Sequence, residues 1–144
     1  MRNQYTVKRK FSFCAAHRLM LHGGRCRNLH GHNYAVTAIV TGYKGTNTNM
    51  VVDFGKLKGV LGIAVDEFDH TLILNKEDHL LTIQKFVDAV GKQNIIEWGG
   101  DPTAESMAEY FAGKFKALLE ISLPGNEFHV EVEVEETPGN TAIY

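Results

Sequence analysis

LHGHNYAVTAIVT, Leu29 to Thr41, alternates with the two-residue period of a β-strand, so that His30, His32, Tyr34, Val36, Ala38 and Val40 share one face. A partner strand precedes it. From Tyr5 to Ala15 the side chains of Tyr5, Val7, Phe11, Phe13 and Ala15 fall on one side, and Thr6, Lys8, Lys10 and Ser12 on the other. Arg9 is the one polar intruder on the apolar side, and one further step in the same parity reaches His17. Between the two strands lies HGGRCRN, a loop rich in glycine and arginine. Near the other end, EFHVEVEVEE turns Phe128, Val130, Val132 and Val134 inward and His129, Glu131, Glu133 and Glu135 outward, the glutamates reading as a solvated face. Parity then puts Glu136 on the inner face, where a carboxylate is costly unless it meets a donor.

The middle of the chain changes period. After the turn GYKGTNTNM, a short strand is expected at VVDF. Leu57, Val60, Leu61, Ala64, Val65 and Phe68 then recur three and four apart, as an amphipathic helix ending near FDHTLILN. A shorter helix is expected from Leu80 to Val90 and a short strand at NIIEW. Asp101 and Pro102 read as N-cap and first residue of a second long helix, with Met107, Ala108, Phe111, Phe115, Leu118 and Leu119 as its stripe and LPGNE as its end. The expected architecture is α+β, a mostly antiparallel sheet with two long helices on one face.

At 144 residues the chain reads as a single domain, 1–144, able to bury roughly 70% of its unfolded surface. A formal net charge of -2 argues against a general polyanion binder, so no nucleic acid is expected as partner. No apolar run suggests a signal peptide or a membrane span, and two cysteines make no disulfide framework; the expected location is the cytoplasm. Cys14 reads as a small buried hydrophobe.

The chemistry gathers in the histidines. His30 and His32, at i and i+2, have Cα atoms about 6.6 Å apart at about 3.3 Å rise per residue, so their rings can converge on one ion. His17, on the inner face of a neighbouring strand, makes a third ligand, and three imidazoles with one open position is the layout of catalytic zinc. His22, His79 and His129 read as surface or hydrogen-bonded residues. Cys26 is open to three readings: a buried hydrophobe, a fourth ligand closing a structural site, or a thiolate favoured by Arg25 and Arg27 and reachable by substrate. Asp69 and His70 by themselves read as a helix terminus, and Glu136 as a partner for a buried cation.

Taken together, AAHR, CRNLHGHNY, VVDFGKLK, FDHTLILN, DPTAESMA and EETPGNTAIY resemble the 6-pyruvoyltetrahydropterin synthase and 6-carboxytetrahydropterin synthase family, over Phe11 to Tyr144. The Cys-x3-His-Gly-His spacing, the later Asp-His pair and the terminal Glu-Thr occur in the family's order. The resemblance implies a tunnelling fold, in which α+β protomers join through their sheets into a barrel-like ring. Such a homo-oligomer, a hexamer as dimer of trimers or a tetramer, places active sites at subunit interfaces. It implies Zn2+ held by His17, His30 and His32, a catalytic thiol at Cys26, and Asp69 with His70 working with that thiol across the subunit boundary. Glu136 matches the glutamate that anchors the pterin ring, and Thr103 a segment lining the pterin pocket, where many relatives carry Asn in place of Asp101.

The substrate so implied is a small-molecule pterin, 7,8-dihydroneopterin triphosphate, with Arg18, Arg25 and Arg27 as candidates to meet its triphosphate. The family splits at the product. One branch cleaves the side chain to 6-carboxytetrahydropterin and acetaldehyde, towards queuosine; the other keeps it as 6-pyruvoyltetrahydropterin. The short loop before the histidine pair resembles the cleaving branch. A reading from another class is a non-catalytic, zinc-stabilised pterin-binding module in which Cys26 closes the metal site.

Overall fold

The two N-terminal strands pair as their shared parity requires. In the computed structural model, which describes residues 2–82, 84–91 and 93–144, β1 (Gln4–His17) runs antiparallel to β2 (His30–Tyr43). The register sets Phe13 opposite Tyr34, Ala15 opposite His32 and His17 opposite His30. On the far edge of β2 lies β5 (Phe128–Thr137), antiparallel, with Val132 against Ala38 and Val134 against Val36. After a turn through Gly139 (φ 85°), β6 (Asn140–Ile143) closes that side. On the other side β3 (Thr71–Asn75) runs parallel to β1, and β4 (Ile95–Trp98) parallel to β3. The strand order is β4-β3-β1-β2-β5-β6, a mixed sheet.

Two long helices, α1 (Phe54–Asp66) and α3 (Ala104–Ser122), lie on the face carrying the apolar residues of β1, β2 and β5. Leu57 and Leu61 of α1 and Met107, Phe111 and Phe115 of α3 are fully buried. Phe13 stacks on Tyr34 with centroids 4.8 Å apart and packs 6.1 Å from Phe111, which ties β1, β2 and α3 together. Burial of each such large side chain stabilises the fold by about 1.5–3 kcal/mol. Arg9 keeps its place among the apolar residues by laying its guanidinium 5.9 Å from the Phe11 ring centroid.

Several elements differ from the sequence expectation. VVDF forms no strand: Val51 and Val52 are buried, and the Asp53 side chain accepts the Lys56 N–H at 2.9 Å as the N-cap of α1. That helix stops at Asp66, and TLILN is a strand buried at every residue. A short, fully buried apolar run has no period that separates strand from helix. The shorter helix expected from Leu80 is a 3₁₀ turn (His79–Thr82) followed by α2 (Gln84–Val90), with Ile83 outside the described residues. Thr103, rather than Asp101, caps α3, its hydroxyl accepting the Ser106 N–H at 3.2 Å. Strand β6 was not anticipated. Among the described residues no helix is long and apolar enough to cross a membrane.

Candidate metal centre and active site

The register that pairs His17 with His30 also brings His32 alongside, and the three ring centroids lie 4.7–5.1 Å apart. One donor nitrogen from each falls within 4.8 Å of the other two, and among the described residues this is the group of that kind that could hold a metal ion. Backbone carbonyls set the tautomers. His17 Nδ1–H donates to the Pro102 carbonyl at 2.9 Å, and His30 Nδ1–H to the Asn28 carbonyl at 2.7 Å, which turns both Nε2 atoms into acceptors, that of His17 shared with the Tyr34 hydroxyl at 3.3 Å. His32 Nε2 is buried without a hydrogen-bond partner, a costly arrangement in a folded protein unless something binds there.

The electrostatics agree with a cation site. His17 is fully buried, and its burial, with smaller contributions from His30 and His32, pushes its pKa from 6.5 down to about 4 despite the Pro102 bond. Burial also lowers His32, opposed by the charge of Glu136. Neutral imidazoles are the form that binds a metal. Gly31, between the two β2 histidines, faces the other strand so closely that an added Cβ would lie 3.3 Å from the Ala15 carbonyl. Tyr34 forms the floor, its hydroxyl 3.1 and 3.3 Å from the two nitrogens of His17. Its phenol is pushed upward in pKa by burial and then by Glu136.

Glu136 arrives where parity puts it. A register irregularity between Glu135 and Thr137 lies at this point of β5. Its Oε1 lies 3.5 Å from His32 Nε2 and its Oε2 3.9 Å from His17 Nε2. The same residue lines a cleft of about 490 Å³ with Leu19, Thr103, Glu105 and Asn140, so Thr103 and Glu136 share one concavity beside the histidines.

Cys26 sits half-buried in a 3₁₀ turn (Arg25–Arg27), its carbonyl accepting the Leu19 N–H at 2.8 Å. Arg25 and Arg27 are exposed beside it. The loop is held at its root by Asp101, whose carboxylate accepts the N–H groups of Met20 (3.2 Å) and Leu21 (3.0 Å) and the side-chain amide of Asn75 (3.0 Å). That work, rather than capping, is what the aspartate does. Arg18 is committed elsewhere: its guanidinium grips the buried Asp78 carboxylate at 2.5 and 2.6 Å. Burial is the largest single influence and would raise the Asp78 carboxyl, but the Arg18 bond, the Leu80 N–H and the charges of Arg18 and His79 together outweigh it and hold it below the usual carboxylate range.

Asp69 and His70 form a separate unit. His70 Nδ1–H donates to Asp69 Oδ2 at 2.7 Å, while Asp69 Oδ1 accepts the Cys14 N–H at 2.8 Å and the Cys14 carbonyl accepts the His70 N–H at 2.7 Å. The Cys14 N–H first, then His70, hold the Asp69 carboxyl low. His70 has a left-handed backbone, φ 57°. Its ring is 81% exposed at the mouth of a cavity of about 610 Å³ lined by Cys14, Leu29, His32, Leu72 and Phe86. Among the described residues neither member of the pair bonds Cys26. Cys14 is exposed rather than buried, since its parity is opposite to that of Phe13 and Ala15; its thiol donates to Asn33 Oδ1 at 2.9 Å.

No sequence signal marked the carbonyls of Pro102 and Asn28, because any residue supplies a carbonyl. Asp78 was likewise unmarked, its burial a matter of packing.

A mixed, helix-backed sheet that gathers three imidazoles and a carboxylate at the junction of three strands defines a class: α+β proteins with a cluster of three histidines able to hold a metal ion beside a surface cleft. Within that class, the chain belongs to the 6-pyruvoyl tetrahydropterin synthase family, whose sequence pattern matches residues 6–144. It is 34% identical over 131 residues to the 6-carboxy-5,6,7,8-tetrahydropterin synthase of Rickettsia conorii, covering 90% of this chain and 92% of that protein. It is 33% identical to the synthase of the same name from Synechocystis, covering 97% and 92%. Solved structures agree on the fold. The 6-pyruvoyl tetrahydropterin synthase of Plasmodium falciparum superposes with a TM-score of 0.77 at 23% identity, covering 98% of this chain and 96% of that one. The Caenorhabditis elegans enzyme does so with 0.69 at 29% identity, covering 100% and 97%. The chain therefore has the tunnelling fold expected from the motifs and is a member of a family of pterin synthases.

Proposed function

We propose that this protein is a zinc-dependent cytoplasmic lyase that converts 7,8-dihydroneopterin triphosphate and one water to 6-carboxy-5,6,7,8-tetrahydropterin, acetaldehyde and triphosphate, a step towards queuosine. The observation that carries the reading is the convergence of His17, His30 and His32, with His32 Nε2 buried and unpartnered, beside a cleft shared by Glu136 and Thr103. The names of the curated relatives favour the cleaving branch.

The three imidazoles are the residues that would hold the cation. When bound, zinc supplies Lewis acidity, which eases loss of a proton from carbon next to a hydroxyl. Glu136 accepts N–H bonds from the amino-pyrimidinone edge of the pterin and fixes the ring while the side chain reacts. Thr103, at the start of α3, walls the same cleft. Cys26, as thiolate, takes and returns protons, and His70, oriented by Asp69, serves as the second proton carrier. Arg25 and Arg27, exposed beside Cys26, are placed to meet the triphosphate as it leaves, whereas Arg18 is engaged by Asp78. The exposed Asp69–His70 unit, unbonded to Cys26 in its own protomer, supports its use by a neighbouring protomer in a homo-oligomer, hexameric or tetrameric, with the active site at the interface.

The test is to incubate the zinc-loaded protein with 7,8-dihydroneopterin triphosphate and to assay acetaldehyde, triphosphate and the pterin by mass. Acetaldehyde with 6-carboxytetrahydropterin is expected. Triphosphate with 6-pyruvoyltetrahydropterin and no acetaldehyde moves the protein to the biopterin branch, and no turnover with zinc retained leaves a pterin-binding module.

A further inference from the structure

We propose that Glu136 is the fourth ligand of the cation in the substrate-free protein, and that pterin draws it away; this rests on the three-histidine reading of the centre. The distances decide between a hydrogen bond and shared ligation. A charge-assisted N–H···O bond closes to about 2.7–2.9 Å. Glu136 stands off at 3.5 Å from His32 Nε2 and 3.9 Å from His17 Nε2, and His32 Nε2 makes no hydrogen bond although a carboxylate is its nearest charged neighbour. Two ligands about 2.0–2.1 Å from one zinc ion at a tetrahedral angle are about 3.3 Å apart. Glu136 Oε1 thus stands near the spacing of a co-ligand to His32, and Oε2 stands about 0.6 Å beyond that spacing from His17, so a small side-chain movement would bring one oxygen onto an ion held by the three imidazoles.

Glu136 is also placed to leave. Its side chain is 24% exposed, it stands at the β5 irregularity, and it lines the cleft with Thr103 on its other side. A carboxylate can accept the paired N–H groups of a pterin or serve the cation, but one oxygen pair does not do both at full strength. Arrival of the pterin therefore opens a coordination position when a substrate hydroxyl is at hand. Without substrate the centre stays closed.

The experiment needs no turnover. Metal-free wild type, Glu136→Gln, Glu136→Asp and Cys26→Ala are titrated with Zn2+ by chelator competition and with Co2+ by visible absorption, with circular dichroism and thermal melting as the folding check. Glu136→Gln is expected to weaken Zn2+ binding by roughly 10–100-fold and to change the Co2+ bands, Glu136→Asp to fall between, and Cys26→Ala to match wild type. Added 6-methylpterin, which has no triphosphate side chain, is expected to move the wild-type Co2+ spectrum towards that of Glu136→Gln. Binding by Glu136→Gln within threefold of wild type, or weaker binding with unchanged Co2+ bands, overturns the ligand role and leaves the three-histidine centre intact. A spectrum that 6-methylpterin does not move overturns the exchange. Wild type that binds neither ion overturns the centre itself.

Discussion

Residue 70 should invert the ordinary ranking of alanine and glycine. At most positions glycine is less stable than alanine by roughly 0.5–1 kcal/mol, because it loses more backbone freedom on folding. His70 has φ 57°, where an L side chain costs roughly 1–2 kcal/mol. The conformation is imposed from outside: the His70 N–H is bonded to the Cys14 carbonyl at 2.7 Å while the next residue, Thr71, enters β3 beside β1. His70→Ala and His70→Gly lose the 2.7 Å bond to Asp69 equally, so that loss cancels in the comparison. The difference that remains is the left-handed cost less the glycine entropy. His70→Gly is therefore expected to exceed His70→Ala by roughly 0.5–1 kcal/mol, or about 1–4 °C in melting temperature for a domain of this size. Urea and thermal unfolding of the pair measure it. Turnover should fall alike in both, since both remove the imidazole. An alanine variant as stable as the glycine one would refute the strain argument, and a glycine variant with full activity would refute the proton-carrier role.

Cys26→Ala should retain zinc and lose turnover by roughly 100-fold or more; loss of the metal would make the thiol a ligand instead. Asp101→Ala removes the acceptor of three hydrogen bonds at the root of the Cys26 loop and should cost about 2 kcal/mol in urea unfolding. Asp101→Asn, which keeps one oxygen, should recover part of it. Stability should also carry an acid signature from the buried Asp78 and its half-buried partner Arg18. The Asp78 carboxyl is held low in the folded protein, so its contribution is complete above the unfolded carboxyl pKa of about 4 and is lost as pH falls through the folded value. Asp78→Asn should flatten that part of the profile, and an unchanged acid limb would show that other carboxyls set it.

Much of the site was legible in the sequence because a strand has a period of two. Parity alone put His17, His30, His32 and Glu136 on inner faces; the three histidines converge, and Glu136 comes against His17 and His32. The spacing of Leu57, Leu61, Met107, Phe111 and Phe115 likewise announced which helix faces are buried. Other features depended on partners distant in the chain. TLILN is a strand because β1 and β4 flank it, and Asp101 serves the loop at Met20 and Leu21 rather than its own helix. The sequence by itself determined which side of each element each residue takes, since that follows from local backbone geometry. Only the tertiary structure decided the register of His17 against His30, the Pro102 carbonyl that sets the His17 tautomer and the left-handed backbone at His70, because each depends on contacts between separate segments of the chain.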